Sequence, residues 1–258
     1  MRTAFVITLL ALVAAANAQR NSLSDSAKSS QSFSRMEFGI HAGPGISTFY
    51  NQHPLQSPRN PQKSPYGGAL VGFSYQYHFT PIVGLQMEAN WERKGDLWYD
   101  VASWSENGAF THSYAYENIN YLTLPVTLKL NFGKTVKFFT NTGLYGGVLI
   151  NAYRVSGDNA RVPGSELSVS QVRTVTDVSS DLRQLDGGVV MGLGVSFPLG
   201  RFAAFSFEAR DNLGLVNLNR GTGLYGNNFY NNNANFIFGL HMLMDKQGKN
   251  ANLRYKTQ

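Results

Sequence analysis

From residue 35 onward, apolar and polar side chains alternate with a period of two. Because successive side chains of a β-strand point to opposite faces, such alternation predicts strands with one apolar and one polar face. The clearest run, Val83 to Lys94, separates Val83, Leu85, Met87, Ala89 and Trp91 from Gln86, Glu88, Asn90, Glu92 and Lys94. In the first run, Glu37 to Phe49, Phe38, Ile40, Ala42 and Ile46 oppose Gly39, His41, Gly43, Gly45 and Ser47. Similar runs cover Gly67 to Phe79, Ile119 to Asn131, Val136 to Tyr153, Leu185 to Pro198, Phe202 to Leu215 and Asn233 to Met244, eight in all. The fifth is ambiguous in phase; Leu144, Val148 and Ile150 are assigned outward, with Asn141, Gly143, Tyr145, Gly147 and Asn151 inward.

The connections are of two kinds. Tight turns are expected near Thr80-Pro81, Asn131 to Lys134 and Pro198 to Gly200, whereas long polar stretches cover Tyr50 to Pro65, Gly95 to Glu117, Arg154 to Asp181 and Asn217 to Asn232. Short turns on one rim and long loops on the other mark an all-β, eight-stranded, antiparallel up-and-down transmembrane β-barrel, with the turns periplasmic and the four loops extracellular. A soluble sheet would bury its apolar face against a second layer, and no helical pattern supplies one. Pro125 interrupts the fourth run, so a bulge or a locally unpaired position is expected there.

The flanks of this domain, 36–244, differ from it. Residues 1–18 combine Arg2, an apolar stretch from Ala4 to Ala16 and the small-residue box Ala16-Asn17-Ala18, the pattern of a secretory signal peptide cut before Gln19. Residues 19–35 are Ser-rich and aperiodic and read as a flexible periplasmic leader. Residues 245–258, with Lys246, Lys249, Arg254 and Lys256, read as a basic periplasmic tail that extends disordered or touches the cell wall or a partner.

Composition adds two constraints. With no cysteine, stability must come from strand closure and packing. The 22 Lys+Arg against 16 Asp+Glu are scattered and accompany no nucleic-acid motif, so the basic balance suits anionic lipid headgroups rather than nucleic acid.

Three segments carry a family resemblance. Ala209-Arg210-Asp211-Asn212-Leu213-Gly214-Leu215-Val216-Asn217, Phe38-Gly39-Ile40-His41-Ala42-Gly43 and Tyr121-Leu122-Thr123-Leu124-Pro125-Val126 resemble, in order and spacing, the PorT-type outer-membrane β-barrel family of Bacteroidota. The similarity runs from Phe38 to Met244. It implies a small closed barrel of the outer membrane, usually without an assigned activity, in a family named for a member involved in protein secretion.

An eight-stranded barrel is only wide enough for side chains to fill. The inward phases collect Glu88, Glu92, Lys129, Glu208 and Arg210, which in so confined a space must pair and hydrogen-bond. His41, His78 and His241 also point inward on strands that become neighbours on closure, and with Glu37 they form a candidate zinc set whose alternative is a hydrogen-bonded core. Enzyme motifs are missing, and no cofactor is implied. A loop-borne surface enzyme would have to use His112 with Ser113 or Ser105, and Glu106. The loops favour binding instead: Trp98, Tyr99, Trp104, Phe110, Tyr114 and Tyr116, and then Tyr225, Phe229 and Tyr230, offer large contact areas at low entropic cost to glycans or proteins. Aromatics at strand ends, Trp91, Tyr50 and Tyr66 among them, suit an interfacial belt or self-packing. The expected function is therefore a non-enzymatic outer-membrane barrel whose loops bind or shield at the surface, as an accessory of an envelope assembly. A PorT-like component of a secretion system is the alternative.

Overall fold

The computed structural model describes residues 35–51, 62–99, 103–104, 110–161, 170–200, 202–221 and 228–244. The strands are β1 (Met36–Tyr50), β2 (Gln62–His78), β3 (Val83–Tyr99), β4 (Ser103–Trp104), β5 (Phe110–Phe132), β6 (Lys137–Arg161), β7 (Ser170–Asp177), β8 (Leu185–Leu199), β9 (Ala203–Gly214) and β10 (Tyr230–Met244). Eight of them, β1, β2, β3, β5, β6, β8, β9 and β10, pair antiparallel with their sequence neighbours. The first also pairs with the last, from Met36↔Met244 to Tyr50↔Tyr230, so the sheet closes into a barrel. Closure leaves none of these eight strands as a free edge of the barrel, which hydrocarbon demands because it offers backbone groups no partner. Among the described residues no helix is long and apolar enough to cross a membrane.

Two of the tight turns use glycines with positive φ, Gly133 (107°) and Gly200 (78°), a conformation that costs other residues their Cβ clearance. At the third, the Thr80 hydroxyl accepts from the amides of Ile82 (3.2 Å) and Val83 (2.9 Å). Opposite Pro125 the β3–β5 ladder skips from Met87↔Val126 to Asn90↔Thr123, where the ring nitrogen has no proton to donate.

At the loop end the sheet continues well beyond the apolar band. Much of Gly95 to Glu117 and of Arg154 to Asp181, read from sequence as loop, is strand: β3 and β5 pair up to Tyr99↔Tyr114, β5 and β6 up to Phe110↔Arg161, and β7 adds to β6 from Tyr153↔Asp177 to Ala160↔Ser170. Polarity gave the wrong reading because a hairpin standing in water satisfies its backbone by pairing and needs no apolar face. A second difference lies at a register shift between Asn120 and Tyr121, where the ladder passes from Asn120↔Asn151 to Tyr121↔Leu149. The extra residue, Ile150, reverses the phase above it, so Ala152 is buried and Asn151 pairs with the half-buried Asn120 rather than lining the lumen.

The closed lumen and the candidate surface site

Inside the barrel, strand alternation brings polar side chains from all sides into one filled core. At the turn end, the Glu37 carboxylate (β1) lies 3.2 Å from His78 Nε2 (β2) and 3.0 Å from His241 Nδ1 (β10), and His241 Nε2 is 2.8 Å from Ser206 Oγ. Lys129 Nζ donates to Gln86 Oε1 (3.1 Å) and sits 4.1 Å above the Phe139 ring. Gln86 in turn donates to Glu88.

The middle tier is built on Arg210. From β9 its guanidinium crosses to β3 and grips Glu88 with two bonds, Nη1 to Oε2 at 2.5 Å and Nη2 to Oε1 at 2.7 Å, while Nε donates to Glu208 Oε1 at 2.5 Å. Asn141 also donates to Glu208 (2.9 Å) and Asn90 to Glu88 (2.9 Å). His41 Nε2 bonds Asn90 Oδ1 (2.8 Å) and stands 3.6 Å from Glu88. The three imidazoles therefore do not converge: His78 and His241 share Glu37, and His41 belongs to the tier above. Among the described residues no group of three or more His, Cys, Asp or Glu is arranged to hold a metal ion.

Above this, Glu92 Oε1 accepts from three asparagines, Asn212 (2.9 Å), Asn233 (2.6 Å) and Asn235 (3.0 Å). Lys94, fully buried, bridges Glu92 (3.3 Å) and Asp186 (3.0 Å) and lies over the rings of Tyr121 (5.3 Å) and Tyr145 (4.8 Å). The Tyr145 hydroxyl donates to Asp186 (3.2 Å). Planar amides and aromatic faces suit a buried ammonium and carboxylate, whose desolvation must be offset by hydrogen bonds and ring quadrupoles. The parts played by Lys94 and Asp186 could be found in the sequence only as inward phase; that the two meet across 92 residues could not.

The lumen ends in an apolar cap. Phe49, Ile119, Tyr121, Ala152, Val178, Leu182, Leu218 and Phe229 pack together, all nearly inaccessible. Backbone bonds knit the cap: Leu218 N to Phe229 O (2.9 Å), Arg183 N to Leu218 O (2.9 Å) and Val178 N to Ala152 O (3.0 Å). The segments after β7 and β9 thus fold over the barrel mouth and bury their apolar residues against its rim. Sequence reading missed the cap, since its residues are scattered singly through polar stretches.

Outside, the barrel carries an apolar girdle whose members include Ile40, Val71, Phe73, Leu124, Leu144, Leu193 and Met242. Above it stand several of the aromatic candidates, on strands rather than loops, whereas Phe229 is buried in the cap. Trp98 and Tyr99 end β3, where Lys63 lies 5.2 Å above the Trp98 ring and the Tyr99 hydroxyl donates to Gln62 (3.1 Å). Tyr230 opens β10, stacked on Tyr50 at 5.1 Å. Trp104 lies in β4, and Tyr225 falls outside the described residues, as do Ser105 and Glu106. Tyr66, Tyr116 and Tyr114 form a stacked row, with centroid separations of 5.5 and 6.4 Å. Gly95 permits this row: a Cβ there would fall 2.7 Å from the Tyr66 ring, which crosses β3 at that point to reach Asn118 on β5 (2.8 Å).

A closed eight-stranded barrel with a filled lumen and a lipid-facing girdle agrees with the comparison against known families, where the model described as outer membrane protein beta-barrel domain matches residues 17–220. The chain belongs to this family. Its place is accordingly the outer membrane. Solved structures with a similar fold include OprG of Pseudomonas aeruginosa (12% identity, covering 82% of this chain and 97% of that one, TM-score 0.42). Neisserial surface protein A (11%, 81% and 97%, 0.38) and the attachment invasion locus protein Ail of Yersinia pestis (10%, 81% and 99%, 0.34) are further examples. No curated protein matches the chain.

Proposed function

We propose that this protein is a non-enzymatic outer-membrane barrel that works through its extracellular surface, binding or shielding there as an accessory of an envelope assembly. One observation carries the reading: among the described residues, side chains from Glu37 to Asp186 interlock across the lumen and the apolar cap covers its end, which argues against passage of a solute. What remains available to a partner is the sheet standing above the girdle, with Tyr66, Tyr99, Tyr114 and Tyr116 on it. Rigid aromatic side chains of this kind suit glycans or proteins, since stacking loses little side-chain entropy.

The test is direct. The barrel is purified in detergent and applied to a glycan array, and gently solubilised outer membranes are examined for co-purifying proteins, with Tyr99→Ser/Tyr114→Ser as control. Capture of a glycan or envelope protein by the parent but not by the variant supports the reading; equal behaviour of the two, or stepwise conductance of the parent in a planar bilayer, overturns it.

The PorT-type resemblance of Ala209 to Asn217, Phe38 to Gly43 and Tyr121 to Val126 supports a second reading, a Bacteroidota barrel serving a protein secretion system. Stable co-purification of export proteins distinguishes it from the first. Under either reading, residues 1–18 act as a cleaved export signal, which the mass of the mature chain checks.

A further inference from the structure

Arg93 occupies a distinctive place. On the outward phase of β3 the side chains Leu85, Met87, Ala89 and Trp91 are apolar, and Arg93 follows. On β5, paired Trp91↔Leu122 and Arg93↔Asn120, Leu128, Val126, Leu124 and Leu122 give way at the same level to Asn120 and Asn118. On β6 the apolar Val148 and Ile150 give way to Asn151. Three adjacent strands thus switch from hydrocarbon-compatible to polar side chains along one line, which is where lipid headgroups lie.

The groups at that line form a built site. Arg93 lies 5.3 Å over the Trp91 ring, and its Nε faces Asn120 Oδ1 at 3.5 Å. Asn120 donates to Asn151 Oδ1 (2.6 Å), and Tyr66 donates to Asn118 Oδ1 (2.8 Å). Each of these bonds occupies an amide oxygen, which leaves amide N–H groups of Asn118 and Asn151 for another acceptor. Arg93 makes no ion pair among the described residues, although other cations of the chain do: Lys63 with Asp96, Lys94 with Asp186 and Arg154 with Glu117. A guanidinium with no ion-pair partner among the described residues, flanked by amide donors, braced on an indole and held against the lipid surface, has the chemistry of a phosphate receptor.

We propose that Arg93, with Asn118 and Asn151, binds the phosphate of a lipid headgroup in the outer leaflet, with Trp91 lying against the acyl chains beneath it. The line of polarity change fixes the source, since a free anion would gain nothing from the adjoining girdle. This inference rests on the membrane placement of the barrel, not on the loop-binding reading, and it stands or falls separately.

The experiment uses the full mature chain in detergent, measured by native mass spectrometry during titration with a diphosphorylated lipid A, the same glycolipid stripped of phosphate, and inorganic phosphate. Binding of the phosphorylated lipid is expected to weaken about tenfold in Arg93→Gln, the scale of one charge-assisted hydrogen bond, and to be partly restored in Arg93→Lys. The dephosphorylated lipid is expected to bind parent and Arg93→Gln alike. Asn151→Leu, which removes one donor and leaves the charge, serves if Arg93→Gln does not fold, and should weaken the phosphorylated lipid alone. Equal affinity of the parent for lipid with and without phosphate overturns the proposal, as does binding unchanged in the folded variants. Inorganic phosphate binding as tightly as the lipid also overturns it.

Discussion

Arg210 and Glu88 are separated by 122 residues of sequence and joined by two hydrogen bonds across the barrel interior, at 2.5 and 2.7 Å. Arg210 also holds Glu208, so one cation serves two carboxylates. Arg210→Met should therefore leave both acids buried without a counter-charge and destabilise the barrel by roughly 3–5 kcal/mol. Urea unfolding in detergent, followed by tryptophan fluorescence, measures this. Adding Glu88→Gln and Glu208→Gln to the variant should recover much of the loss, because neutral amides cost less to bury.

Lys94→Met makes the same argument at the next tier. Removing the ammonium strands Glu92 and Asp186 together at full burial, and the expected penalty is again several kcal/mol. Asp186→Asn in the same chain should relieve part of it. If the double variant unfolds at the urea concentration of the single one, the two sites are not coupled through Lys94.

Since the chain has no cysteine, a single introduced thiol reports on the cap. Ile119→Cys places it within the apolar cluster, where a charged thiol reagent should react slowly. Adding Phe229→Ala, a truncation that costs about 3–5 kcal/mol in a packed core, should loosen the cap. The labelling rate is then expected to rise at least about tenfold, while the barrel keeps its folded mobility on an unheated gel.

Gly43 lies where the first and last strands meet. A Cβ there would fall 1.8 Å from the backbone oxygen of Phe236, and backbone cannot yield as a flexible side chain can. Gly43→Val should weaken closure by roughly 1–3 kcal/mol, the usual cost of overpacking, and lower the yield of refolded barrel. Gly67→Val, on the adjacent strand with nothing within 4 Å of its Cβ position, is the matched control and should refold normally.

The barrel was legible because its physics is local: alternation assigns each side chain a face, and connection length separates the two rims. Glu88 and Glu92 stand in the polar phase of an unbroken run, and both are buried. Phase does not say which partner lies across the lumen, so the Arg210 bridge and the Lys94 bridge needed the three-dimensional register. At Ile150 one extra residue defeated the period itself. Trp98 and Tyr99 lie in a polar stretch that reads as loop yet is strand, because polarity and strand structure part company once a sheet leaves the apolar band.

The paired extension of β5 and β6 has a consequence of scale. From Asn118, at the line where polarity changes, it runs eight residues further to Phe110 without leaving the ladder, roughly 26 Å at about 3.3 Å per residue. A ribbon of that reach, buttressed by β7 along its flank, is a mast rather than a tether. On the extracellular placement proposed above, a partner approaching the cell would meet this ribbon above the bilayer.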